Sequence, residues 1–117
     1  MTHDYRGAFK EVVDEYKALR ELAPAAMDAF GHLHKVAMLD GALGTKTKEM
    51  MAMAIGVAMR CEGCIVSHAR AAIKAGATPQ EIGEAVGVAV LMGGGPATVY
   101  GGKAVEAARQ FAETQTG

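Results

Sequence analysis

The stretch that decides the fold runs from Thr45 to Lys74 and reads TKTKEMMAMAIGVAMRCEGCIVSHARAAIK. It divides into two helical patterns. The first starts with Thr45 as N-cap and continues through Lys48, Glu49, Met50 and Met53 to about Met59. Beyond Glu49 it is apolar around most of its circumference, which predicts a buried, central helix. The second runs from about Cys61 to Lys74, with Gly76 in the place that usually follows a helix end. On that helix the spacing i, i+3, i+7 brings Cys61, Cys64 and His68 onto one face, each one turn from the next. The face carries both cysteines of the chain and one of its four histidines.

Helical periodicity continues on both sides. Phe9, Val12, Val13, Tyr16 and Leu19 mark a helix over 5–22, and Met27, Phe30, Leu33 and Val36 mark another over 25–38, after Pro24. Gly41 and Gly44 bracket a loop. Thr78-Pro79-Gln80-Glu81 combines an N-cap threonine, a proline at the first helical position and a glutamate two residues later, a capping box that starts a helix to about Met92. Gly93-Gly94-Gly95 breaks it, Pro96 suits a new first turn, and a last helix spans 97–113, with the tail 114–117 expected to fray. No alternating strand pattern occurs. The expected fold is all-α, a single-domain bundle of about six helices over 1–117.

Composition narrows the function classes. Half of the 117 residues are apolar, yet only 5% are aromatic and none is Trp, so the core must be built largely from Ala, Val and Met. Such side chains let helices approach closely but bury little area each, and a small domain of this kind gains from association, so a homo-oligomer is expected. Eight methionines, five of them between Met38 and Met59, suit an adaptable apolar interface or ordinary core packing. Twelve basic and 13 acidic residues leave no charge excess for nucleic acid or an anionic membrane. Residues 1–6 lack the apolar core of a signal peptide, and the most apolar run, 82–100, is interrupted by Glu84 and the glycines. A cytoplasmic protein is expected, and in that reducing compartment a close cysteine pair is catalytic or metal-binding rather than a structural staple.

Four readings of the cysteine face compete. As a redox dithiol, Cys61 gains thiolate stability from the helix N-terminus, while His68 can take the proton of Cys64. Peroxide would give a sulfenic acid that the second cysteine condenses to a disulfide. As a metal site, the pair plus His68 offers three ligands, and a fourth would require His32 or His34 to fold back some thirty residues. Covalent haem needs a histidine directly after the second cysteine, where Ile65 stands, so it is rejected. The fourth reading is an unreactive pair buried with a core histidine. The redox dithiol uses all three residues and is preferred; no metal and no bound cofactor are expected.

Lys48-Glu49, the twelve-residue step from Glu49 to Cys61, Cys-x-x-Cys-x-x-x-His, Ala69–Ala77 and the Thr-Pro-x-Glu-Ile break together resemble the alkylhydroperoxidase D-like (carboxymuconolactone decarboxylase) superfamily over about 41–100. The resemblance implies an all-α fold whose central antiparallel helix pair carries the active site, assembled as trimers or as hexamers of dimers. It also implies peroxidase or disulfide-reductase activity with a glutamate–cysteine–histidine relay, matched here by Glu49, Cys61, Cys64 and His68. On one straight helix Glu49 would lie about 18 Å from Cys61, so it can join only if the chain turns near Arg60. Characterised hydroperoxidases of this type carry a histidine just before the second cysteine, where this chain has Gly63, which bears on peroxidase turnover more than on dithiol chemistry. The decarboxylase branch lacks the cysteine pair, so decarboxylation is the lesser expectation.

The expected mechanism makes Cys64 the attacking thiolate, assisted by His68 and Glu49. Cys61, at the exposed start of its helix, resolves the sulfenic acid and exchanges with an external dithiol or protein reductant. A small hydroperoxide or disulfide is the expected substrate. The alternative is a non-catalytic redox-sensing or assembly subunit. His3, His32 and His34 are expected on the surface or helix flanks, and Lys46, Lys48 and Arg60 have no spacing that brings them to a thiolate.

Overall fold

Six α-helices follow one another in the computed structural model, which describes residues 3–116: α1 (Tyr5–Leu22), α2 (Pro24–Ala37), α3 (Thr45–Ala58), α4 (Glu62–Lys74), α5 (Pro79–Gly93) and α6 (Gly95–Thr116). Among the described residues there is no strand, so the all-α expectation holds.

The helix ends have local chemical causes. The Asp4 side chain accepts the Gly7 N–H to cap α1, and the buried amide of Gln110 on α6 accepts the Tyr5 N–H at 2.8 Å. The Thr78–Glu81 capping box is present in full, with both reciprocal hydrogen bonds. At α3 the expectation needs correction. Thr45 is the first helical residue and Gly44 the N-cap; the Asp40 carboxylate accepts both the Thr45 N–H and its hydroxyl. Those two hydrogen bonds, the backbone one foremost, hold the Asp40 carboxyl below its ordinary pKa.

One core runs through the molecule, with Met53 and Val57 from α3, Ile65, Val66, Ala69 and Ala72 from α4, Ile82 and Val86 from α5, and Ala104, Ala107, Ala108 and Phe111 from α6. Its small side chains permit close helix approach: a Cβ on Gly101 of α6 would lie 2.5 Å from Val86 Cγ1 on α5. α1 packs on α4 and α6, whereas α2 packs on α1 and contributes no buried residue.

Two further expectations are corrected. α3 is not buried all round: Glu49, Met53, Gly56 and Val57 face inward, while Met51, Ile55 and Met59 form an exposed stripe at i, i+4, i+8. Of the methionines, Met53 packs in the core and is inaccessible, while Met51, Met59 and Met92 are exposed. α6 extends through the expected tail to Thr116, and the Thr114 hydroxyl accepts from Arg6 Nη1 at 2.9 Å and donates to the Gln110 carbonyl. Gly117 lies outside the described residues.

Candidate active site

The turn from α3 to α4 builds the site. Its two interlocking hydrogen bonds are Cys61 N–H to the Gly56 carbonyl and Arg60 N–H to the Val57 carbonyl, a Schellman closure with Arg60 at φ 59° in the left-handed region. The same closure ends α4, where Gly76 takes that position without a Cβ penalty. At Arg60 the side chain makes the conformation costly, by about 1–2 kcal/mol. The reversal delivers Cys61 to the N-cap of α4, where its sulfur accepts the Cys64 N–H at 3.2 Å.

After the turn the two helices run antiparallel. Glu49, in the first turns of α3, meets His68 of α4, while Gly56, seven residues on, meets Cys64 and Ile65. A Cβ on Gly56 would lie 3.2 Å from Cys64 Cβ, so the glycine sets how closely α3 can approach the cysteine turn. The antiparallel pair implied by the resemblance is thus observed, and it brings Glu49 to the site across the turn at Arg60.

Cys61 and Cys64 are joined by a disulfide, with Cα atoms 5.2 Å apart. Cys64 is the exposed cysteine and Cys61 only partly accessible, the reverse of the exposure expected from helix position. Cys61 is held at the N-cap by its hydrogen bond, while Cys64, three residues on and against Gly56 of α3, keeps its side open to the cleft. Both sulfurs and His68 line a cleft of about 320 Å³ whose other wall is apolar, with Ile55, Gly56 and Met59 of α3.

Glu49 is 5% exposed, and its Oε1 accepts the His68 Nδ1–H at 2.6 Å. Donation through Nδ1 leaves Nε2 as the nitrogen able to take a proton, the arrangement of a base oriented by a buried carboxylate. Taken alone, Glu49 reads as a solvated first-turn residue, but here it is nearly inaccessible.

One residue was missed. His34 of α2 is exposed, as expected, yet its ring lies 5.9 Å from that of His68, centroid to centroid. Donor atoms of His34, Glu49 and His68 all fall within 4.8 Å of one another. The chain does fold α2 back, but toward Glu49 and His68 rather than toward a cysteine-based metal set. A signal was present, because His34 shares a helix face with Met27 and Met38, the inward-leaning residues of that segment. His3 stays by α1, its carbonyl accepting from Gln110, and His32 is exposed. Lys46 and Lys48 are engaged away from the cysteines, with Glu81 and with the Leu39 carbonyl.

Comparison with known proteins agrees with this architecture. The carboxymuconolactone decarboxylase family model matches residues 24–113. A carboxymuconolactone decarboxylase family protein of Legionella pneumophila is similar in structure, with a TM-score of 0.87 and 40% identity over 92% of this chain and 96% of that one. A family member from Thermotoga maritima, for which a part in antioxidative response has been suggested, has a TM-score of 0.79 at 27% identity, covering 91% and 93% of the two chains. An uncharacterised protein of Cupriavidus necator is 35% identical over 105 residues, 90% of this chain and 93% of its own length.

Proposed function

The chain belongs to the carboxymuconolactone decarboxylase family, and from that premise we propose that it is a thiol–disulfide oxidoreductase with hydroperoxide-reducing capability. The observation that carries the reading is the joined Cys61–Cys64 pair, one turn from a histidine held by a buried carboxylate. Decarboxylation leaves the cysteine pair without a role and is set aside.

In the reduced protein His68, oriented by Glu49, takes the Cys64 proton. The thiolate attacks the terminal oxygen of a hydroperoxide, the O–O bond breaks, Cys64 becomes a sulfenic acid, and the departing alkoxide takes the proton back from His68. Cys61 attacks the sulfenic sulfur, water leaves, and the disulfide closes. An external dithiol reopens it: one donor sulfur attacks a disulfide sulfur, and the second donor thiol resolves the mixed disulfide.

The exposure of Cys64 revises the expected exchange role. The donor attacks Cys64, and Cys61 is the leaving thiolate, stabilised by the Cys64 N–H and the helix N-terminus. The apolar wall of the cleft favours an organic hydroperoxide or a small organic disulfide over a charged substrate. No bound cofactor enters, since the cysteine pair carries the electrons.

Among the described residues no helix is long and apolar enough to cross a membrane, and the cytoplasm is the proposed setting. Exposed Met51, Ile55, Val88, Leu91 and Met92 on α3 and α5 leave apolar surface that association of like subunits, as a trimer or a hexamer of dimers, would cover. The test of function is NADPH-coupled turnover with cumene hydroperoxide and a dithiol donor. Many turnovers per subunit support the enzyme. Oxidation that stops after one equivalent supports instead a redox-sensing subunit.

A further inference from the structure

The geometry points to His34 as a proton-exchange residue that connects the Glu49–His68 pair, its carboxylate buried and its imidazole partly covered, to water during reduction of the disulfide. The inference rests on the dithiol reading above. It starts from a requirement of that chemistry. A dithiol donor sheds one proton when it ionises to attack and the other when its second sulfur resolves the mixed disulfide, while both cysteines are released as thiolates, so two protons must be passed to the cysteines by way of solvent or a nearby base.

Glu49 and His68 are poorly placed to collect them unaided, their side chains being only 7% and 23% exposed. Their mutual hydrogen bond also engages His68 Nδ1. His34 is exposed, and its ring tilts by 46° against that of His68. The 4.8 Å that encloses the three donor atoms is a span that one bridging water or a small ring rotation closes. Glu49 from α3 and His68 from α4 are the titratable groups whose donor atoms gather with that of His34 within 4.8 Å. A proton entering at His34 passes to His68 and from there to the thiolate of Cys64. His34 acts through His68 and is therefore a positioning and exchange residue, separate from the attacking group.

The position of α2 fits this role. That helix adds no buried side chain to the core, so His34 is not explained by packing. The same three side chains could instead be gathered by a cation, since two imidazoles and a carboxylate are common zinc ligands. The hydrogen bond between two of them accounts for their closeness without one, and the experiment separates the two cases.

The test is the reductive half-reaction alone, followed as thiol appearance when the oxidised full-length protein is mixed with dithiothreitol across pH. It needs no peroxide turnover, so a failure of the peroxidase reading would leave it interpretable. His34→Ala is expected to slow reduction by about tenfold or more, and free imidazole should restore much of the rate. His32→Ala, on the same helix, should match the unaltered protein. Equal rates for His34→Ala and the unaltered protein at all pH values would overturn the inference. So would a slowed variant that imidazole does not rescue, since that outcome marks a purely structural role. Loss of the wild-type rate in EDTA with recovery on adding zinc would overturn it in favour of a metal site.

Discussion

At the residue scale, Glu49 and His68 are bound by an interaction whose value is chemical more than structural. A carboxylate 5% exposed and hydrogen-bonded to one imidazole nitrogen orients that ring and fixes which nitrogen is left free to take a proton. Glu49→Gln keeps the shape and an acceptor oxygen but removes the charge. We expect turnover with hydroperoxide to fall about a hundredfold while the melting temperature changes little. Steady-state kinetics beside a thermal melt measures both; unchanged kinetics would remove Glu49 from the mechanism. Glu49 was within reach of sequence reasoning only through the composite motif, because nothing local distinguishes it from a solvated glutamate. The helix face His34 shares with Met27 and Met38 marked it as inward-leaning, but its meeting with His68 was not legible, because the encounter of α2 with α4 depends on tertiary packing that helical periodicity does not specify. The relative exposure of the cysteines was not legible for a related reason: helix position alone does not show that Cys61 caps the helix with its own sulfur and is only partly accessible.

At the element scale, the α3–α4 hairpin carries the candidate site, and two unlike residues shape it. Arg60 accepts a left-handed backbone to make the tight reversal, and Gly56 lets α3 close on the cysteine turn. In Gly56→Ala the new methyl group meets Cys64 Cβ at 3.2 Å and the Ile65 backbone nitrogen at 3.4 Å, neither of which is the free end of a flexible side chain. The helices must separate by a few tenths of an ångström. The expected cost is about 1–3 kcal/mol, read from denaturant unfolding, with a larger proportional loss of activity. A variant as stable and as active as the parent would show that the spacing is not critical. Helix order and most boundaries were readable from periodicity, proline and glycine. The start of α3 was not, because its cap comes from Asp40, five residues upstream of Thr45 and across a loop.

At the scale of the whole molecule, acid sensitivity should follow from carboxylates that serve as caps. Glu81 sits below its ordinary pKa, chiefly through its hydrogen bond with Lys46 and then the Thr78 N–H, and Asp40 is lowered by Thr45. A folded-state pKa below the unfolded one gives stability that is complete above the ordinary carboxylate range and lost as pH falls through the lowered value. The melting temperature should therefore drop on acidification from about pH 5 to pH 3. Glu81→Gln keeps the capping-box geometry, loses the Lys46 charge pair, and should flatten that drop; an unchanged slope would assign the acid sensitivity elsewhere. The apolar stripes of α3 and α5 also belong to this scale. The small-residue composition led to the expectation of association, but it did not indicate which helix faces would be left apolar and exposed.

The central claim is that Cys64 attacks and Cys61 resolves. A stoichiometric pulse of hydroperoxide on the reduced protein, followed by intact-mass and peptide mass spectrometry of Cys61→Ser and Cys64→Ser, tests it directly. The account predicts a trapped sulfenic acid on Cys64 in Cys61→Ser, formed at the rate of the unaltered protein, and negligible oxidation of Cys61 in Cys64→Ser. A sulfenic acid formed on Cys61 at full rate in Cys64→Ser would contradict it.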